Sequence, residues 1–173
     1  PDMPFFHTSV LLAECIESLN IRDGFTYVDA TVGAGGHSLE IAKRMGAHSR
    51  LLCFDKDRTA IAAAKERLAD YTDRVTFVNR PFADLGEVLT EYGVANLGGV
   101  LADLGCSSPQ FDDPERGFSY MHDAPLDMRM DRDAALSAYD VVNGYSESDL
   151  RRIISEYGEE RFAPKIAREI VRR

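Results

Sequence analysis

Short apolar runs alternate with amphipathic stretches along the first hundred residues. Thr26-Tyr-Val-Asp29, Leu51-Leu-Cys-Phe54, Val75-Thr-Phe-Val78 and Gly99-Val-Leu-Ala102 have the length and composition of buried strands. Helical patterns lie around and between them. Thr8 is placed to cap a helix from about Ser9 to Leu19, with Val10, Leu11, Cys15, Ile16 and Leu19 along one side. Ser38 to Met45 reads as a second helix stopped by Gly46. Asp57 to Leu68 is rich in strong helix formers, with Asp57 as its N-cap. A fourth helix spans about Asp84 to Tyr92. From the first strand on, the order β-α-β-α-β-α-β predicts half of a doubly wound α/β fold.

The pattern then breaks. Leu104 to Asp133 carries Gly105, Pro109, Pro114, Gly117 and Pro125 and has no periodicity, the mark of a long functional loop. Two helices follow, one near Ser137–Asn143 and one to Tyr157 that opens on the capping box Ser146-Glu-Ser-Asp149. A last helix runs from about Glu159 to Arg173. Its uncapped Ile-Val-Arg-Arg end is what a piece of a longer chain would show.

Composition narrows the class. The 173 residues are 45% hydrophobic and 28% charged, as in ordinary globular proteins. No apolar run nears the ~20 residues that span a bilayer, and Pro1 to Thr8 is unlike a signal peptide, so a cytoplasmic protein away from membranes is expected. Cys15, Cys53 and Cys106 form no CxxC pair, so neither a disulfide framework nor a metal site is expected. The net charge of −9 argues against nucleic acid at first sight. It divides into −12 over residues 1–150 and +3 over 151–173. The basic end could touch phosphate, although a solvated helix explains it as well.

Four groups of residues carry candidate chemistry. Asp29-Ala-Thr-Val-Gly33-Ala-Gly35-Gly36-His37 joins a strand to a helix, and such a turn brings backbone close to a ligand at a helix N-terminus. A dinucleotide site wants GxGxxG, but Ser38 stands where the third glycine belongs. An acid four residues before the first glycine is instead typical of S-adenosylmethionine sites, where Asp29 would meet the ammonium group directly or through water. A tight turn without ligand is the bland alternative. Asp55 ends the second strand 22 residues after Gly33, where a carboxylate can accept ribose hydroxyls in either cofactor class. Phe82, after the third strand, is either a core residue or a face for adenine.

The fourth group, Asp103-Leu-Gly-Cys-Ser-Ser-Pro-Gln110, follows the fourth strand. An exocyclic amine is a poor nucleophile because its lone pair is delocalised into the ring. Asp103, Ser107 and Gln110 supply acceptors that could turn that lone pair outward, or they could contact cofactor. A Cys106 thiolate attacking a pyrimidine is a rival chemistry. With no cation near it in sequence, Cys106 reads better as a small packing residue.

These segments, with His7-Thr-Ser-Val-Leu-Leu, Glu115-Arg-Gly-Phe-Ser119, Pro125-Leu-Asp-Met-Arg-Met130 and Tyr157-Gly-Glu-Glu-Arg-Phe-Ala163, strongly resemble the bacterial small-subunit ribosomal RNA cytosine-N4 methyltransferases. The resemblance runs over nearly the whole chain. It implies a Rossmann-like S-adenosylmethionine methyltransferase sheet, here its first four strands over residues 1–105, and the start of an inserted α-helical substrate domain over 106–173. It further implies methyl transfer to a cytidine amine in the decoding centre of the small ribosomal subunit. Cofactor contacts would be Gly35, Gly36 and His37, with Asp55 on the ribose, Phe82 near adenine, and Asp103 with Gln110 at the reacting end. Glu115 to Met130 would border RNA or cofactor. Family members are markedly longer, and with the sheet edge that their further strands cover left exposed, this piece would bind cofactor weakly, be inactive or pair through that edge as a homodimer. Two other functions stay open: a nucleotide-cofactor (NAD) oxidoreductase and a non-catalytic RNA-binding assembly factor.

Overall fold

The computed structural model describes residues 9–173, so Thr8 and His7 lie outside the described residues. Four parallel strands, β1 (Thr26–Asp29), β2 (Arg50–Phe54), β3 (Val75–Val78) and β4 (Leu97–Leu101), form one sheet in the order β3-β2-β1-β4. The first helix, α1, covers Leu12–Leu19, shorter than the periodicity predicts because Leu11 sits at φ 49. Three more join the strands: α2 (Gly36–Arg44), α3 (Arg58–Arg67) and α4 (Leu85–Glu91). Asp57 caps α3 as its sequence position predicts, accepting from the Thr59 N–H at 2.9 Å.

The pleat divides the apolar residues between two layers. Tyr27, Leu51, Cys53 and Val75 share one cluster with Ile16 of α1, Ile41 of α2 and Ile61 and Ala64 of α3. Val28, Leu52, Phe54 and Val78 share the other with Val88 of α4. Full burial of a side chain such as Phe54 contributes about 1.5–3 kcal/mol. β4 begins at Leu97, earlier than its composition predicts, because Gly98 and Gly99 dilute the strand pattern. Tertiary packing requires both: a Cβ on Gly98 would lie 2.7 Å from the Tyr27 ring, and one on Gly99 would lie 2.8 Å from Leu19.

The order 3-2-1-4 has a direct consequence for ligands. The chain steps outward from β1 to β3, then returns to place β4 on the other side of β1. The connections therefore diverge between β1 and β4, which leaves a crevice beyond their carboxyl ends.

The chain divides into two compact units between Ser107 and Ser108. The second holds α5 (Ser108–Asp112), α6 (Ala138–Gly144), α7 (Glu147–Glu156) and α8 (Ala163–Arg172). Here the aperiodic stretch proves ordered through long-range bonds. The buried Arg116 guanidinium donates to the Arg129 and Met130 carbonyls at 3.0 and 3.1 Å, and Arg129 pairs with Asp127 at 2.7 Å. That ion pair holds the Asp127 carboxyl down at about 2. A reciprocal capping box forms at Ser137 and Asp140. At Ser146, where the sequence predicts one, the hydroxyl caps the Asp149 N–H, and the Asp149 carboxylate turns to that same hydroxyl. Among the described residues, no helix is long and apolar enough to cross a membrane.

Candidate functional site

Three loops leave the carboxyl ends of β1, β2 and β4, and hydrogen bonds join them. Gly33 N–H in the loop after β1 donates to Asp55 Oδ2, at the end of β2, at 3.0 Å. Asp103 N–H, just past β4, donates to Thr31 Oγ1 at 2.7 Å. The loop after β3 is tied in as well, since the Asn79 side-chain amide donates to the Asp55 and Lys56 carbonyls at 2.9 and 3.1 Å. Asp29, Gly33, Asp55 and Asp103 are thus brought to one rim of the sheet, at the crevice its topology creates.

The glycines of the turn serve different ends. Gly33, at φ 50, would direct a Cβ into open space, with nothing nearer than the Thr31 carbonyl oxygen at 4.0 Å. Backbone can therefore be approached there. Gly35, at φ 79, faces inward, and a Cβ on it would lie 3.3 Å from Ala64 Cα of α3. A Cβ on Gly36 would collide with the Ser9 side chain. Close internal packing requires these two glycines, whatever their N–H groups bind.

Two of the expected cofactor contacts, His37 and Asp29, have their side chains turned inward. The His37 ring is buried, and its Nε2 lies 3.0 Å from the Val10 carbonyl, so the ring is tied to the segment before α1 instead of being presented to a ligand. Asp29 is fully buried: Oδ2 accepts from Ser38 Oγ at 2.6 Å and Oδ1 from Thr31 N–H at 3.2 Å. Its carboxylate acts through these partners and by its charge. Cys106 is exposed, contrary to the packing role expected of it. Cys53 is the buried thiol, and burial followed by the charge of Asp29 pushes its pKa up, so it stays protonated. Phe82 is 46% exposed, which removes the core alternative. Ser107 is half-buried, and Gln110 is buried on α5 in the second unit.

The rim is acidic. Burial raises the pKa of the Asp29 carboxyl, against the lowering effect of the Ser38 and Thr31 bonds. Burial likewise raises Asp55, against the bonds from the Asp57 and Gly33 amides. The two carboxylates repel each other, as the influence of Asp55 on Asp29 shows. Arg67 reaches the outside of the turn at the Ala34 carbonyl, 3.4 Å away, and α3 holds it on an exposed surface. Thr31 and Asn79 tie the strand-end loops together, and sequence reasoning missed both. Their partners lie 72 and 24 residues away, beyond any local pattern.

Comparison with known proteins identifies a family. Residues 4–173 match the model of the MraW methylase family. Ribosomal RNA small subunit methyltransferase H of Clostridioides difficile is 54% identical over 169 residues, 98% of this chain and 54% of the relative. The protein of the same name from Finegoldia magna is 50% identical over 165 residues, 95% of this chain and 53% of the relative. The chain thus spans about half the length of the curated relatives it matches. Among solved structures, the O-methyltransferase TomG of Streptomyces achromogenes, in complex with SAM, aligns with a TM-score of 0.49 and 21% identity, over 60% of this chain and 48% of its own. With its family model matched from residue 4 to residue 173, the chain belongs to the MraW methylase family.

Proposed function

We propose that the chain carries the cofactor-binding part of an S-adenosyl-L-methionine-dependent methyltransferase acting on small-subunit ribosomal RNA, at the exocyclic N4 amine of a cytidine in the decoding centre. Residues 1–105 form the cofactor part and 106–173 the beginning of the helical substrate part. The observation that carries this reading is the joining of three strand-end loops at the β1–β4 crevice: the Gly33 N–H bonds the Asp55 carboxylate, Thr31 holds the Asp103 backbone, and Gly33 leaves its Cβ direction open. The Asp55 carboxylate suits the ribose hydroxyls of a nucleoside, and the open backbone at Gly33 suits its amino-acid end. Ser38 in place of the third glycine of GxGxxG and the match to the MraW methylase family speak against an NAD-dependent oxidoreductase.

S-adenosyl-L-methionine supplies an electrophilic methyl group on sulfur. The chain's residues bind and orient. Asp55 accepts the ribose hydroxyls, Gly33 admits the amino-acid end, and the exposed face of Phe82 lies against adenine. Asp103 and Ser107 accept hydrogen bonds from the cytidine amine, which turns its lone pair out of ring conjugation. With a base drawn from its stack and the cofactor bound, the amine nitrogen would form its bond to the methyl carbon as the sulfur–methyl bond breaks. S-adenosylhomocysteine would leave and the surplus amine proton would pass to Asp103, all helped mainly by positioning. The full-length protein, supplied with methyl-labelled cofactor and small ribosomal subunits, should label cytidine N4. Labelling of another atom, or none, contradicts the assignment.

A pH dependence follows from Asp55. Its raised pKa means that protonation begins above the ordinary carboxylate range as pH falls. The neutral acid is the poorer acceptor for a diol, so affinity for S-adenosylhomocysteine should drop on acidification from pH 7. Asp55→Asn should bind about 10–100-fold more weakly at pH 7, from the loss of charged hydrogen bonds of about 1.5–3 kcal/mol, and should lack that drop. Calorimetric titration across pH checks both. An unchanged affinity in the variant removes Asp55 from the site.

A further inference from the structure

A hydrogen-bonded series runs beneath the crevice. Ser38 Oγ donates to Asp29 Oδ2 at 2.6 Å, Thr31 N–H donates to Asp29 Oδ1 at 3.2 Å, and Asp103 N–H donates to Thr31 Oγ1 at 2.7 Å. The series begins in α2, passes through the loop after β1 and ends on the first acidic residue after β4. Asp29 and Ser38 are fully buried, so its base is fixed by the core. Its far end is not. Asp103, Leu104, Gly105 and Cys106 are all exposed, and Gly105 has no neighbour within 4 Å of its Cβ position. The regular β1–β4 pairing ends at the bond from Ala30 N–H to the Leu101 carbonyl, 2.8 Å long. Thr31 Oγ1 extends it by one more bond, made by a side chain.

We propose that Thr31 is a positioning residue for methyl transfer: its hydroxyl holds the backbone of Asp103 at the crevice, and Asp29 with Ser38 holds Thr31. The proposal rests on the reading of Asp103 as the acceptor for the amine. The hydroxyl and the backbone N–H of Thr31 work at opposite ends of the linkage, so the buried Asp29 carboxylate, which cannot touch the substrate, still determines where Asp103 stands. Valine keeps the branched shape of threonine but leaves the Asp103 N–H without its acceptor. Asp103 to Cys106 are exposed, and small misplacements of a reacting group cost on the order of 10²-fold in rate.

The test uses the full-length protein with Thr31→Val, Thr31→Ala, Thr31→Ser and Asp103→Ala in single-turnover methyl transfer to small ribosomal subunits, alongside S-adenosylhomocysteine titration and thermal unfolding. Thr31→Val should lower the transfer rate by about 10–100-fold while cofactor affinity stays within about twofold, and Thr31→Ser should restore most of the rate. Thr31→Ala gives the same reading if the valine variant does not fold. A transfer rate within twofold of wild type in the valine or alanine variant, with Asp103→Ala inactive, overturns the positioning role alone. So does a loss that serine does not restore. Activity in Asp103→Ala overturns the reading on which the proposal stands.

Discussion

Asp103→Ala in the full-length protein should reduce methyl transfer on the order of 10²–10⁴-fold, the usual contribution of a group that handles the proton of the reacting centre. The expectation comes from position and from chemistry. Asp103 stands just past β4, beside the point where the sheet connections diverge, with its backbone fixed by Thr31 and its side chain exposed. A cytidine amine attacks only when its lone pair leaves the ring, and an acceptor on its hydrogens favours that geometry. The loss should fall on kcat, with S-adenosylhomocysteine affinity changed far less, because the interaction is made in the transition state. Near-normal turnover would remove Asp103 from the chemistry.

Gly35→Val should damage the fold before it damages the chemistry. The position lies at φ 79, where a β-branched residue is a genuine outlier and left-handed backbone costs about 1–2 kcal/mol. The added carbons would also press on Ala64, whose Cα and Cβ lie 3.3 and 3.4 Å from the new Cβ, and on Leu68 Cδ1 at 3.5 Å. Overpacking of this kind costs about 1–3 kcal/mol, so a total loss of about 2–5 kcal/mol is expected in denaturant unfolding. Gly33→Ala is the informative contrast. Its Cβ meets open space, so stability should fall by about 1–2 kcal/mol from the left-handed backbone alone. The methyl group would nevertheless project toward the ligand and weaken S-adenosylhomocysteine binding. Equal stability losses in the two variants would contradict the distinct roles given to these glycines.

The parts of this fold that sequence reveals are those written in local pattern. Leu51 to Phe54 is a continuous apolar run, Val75 to Val78 is nearly one, and Asp29 and Asp55 mark the strand ends where the chain leaves the sheet. Side-chain direction is a different kind of information. Asp29 and His37 occupy the expected positions in the turn, yet one points into the core toward Ser38 and the other toward Val10. Spacing places a residue on an element, but only packing settles which way it faces. The stretch after Asp103 escaped for a related reason. Its order comes from Arg116 reaching carbonyls 13 and 14 residues away and from a five-residue helix, too short for periodicity to register. Thr31 carries its function through one bond to Asp103, and nothing within its own segment announces it.

A diffraction structure of the full-length protein with S-adenosylhomocysteine tests the convergence of these loops most directly. The ribose hydroxyls should lie within hydrogen-bonding distance of the Asp55 carboxylate, the amino-acid end against Gly33, and the sulfur facing Asp103. A nucleoside bound elsewhere, or a crevice closed by packed side chains while the protein remains active, would contradict the account.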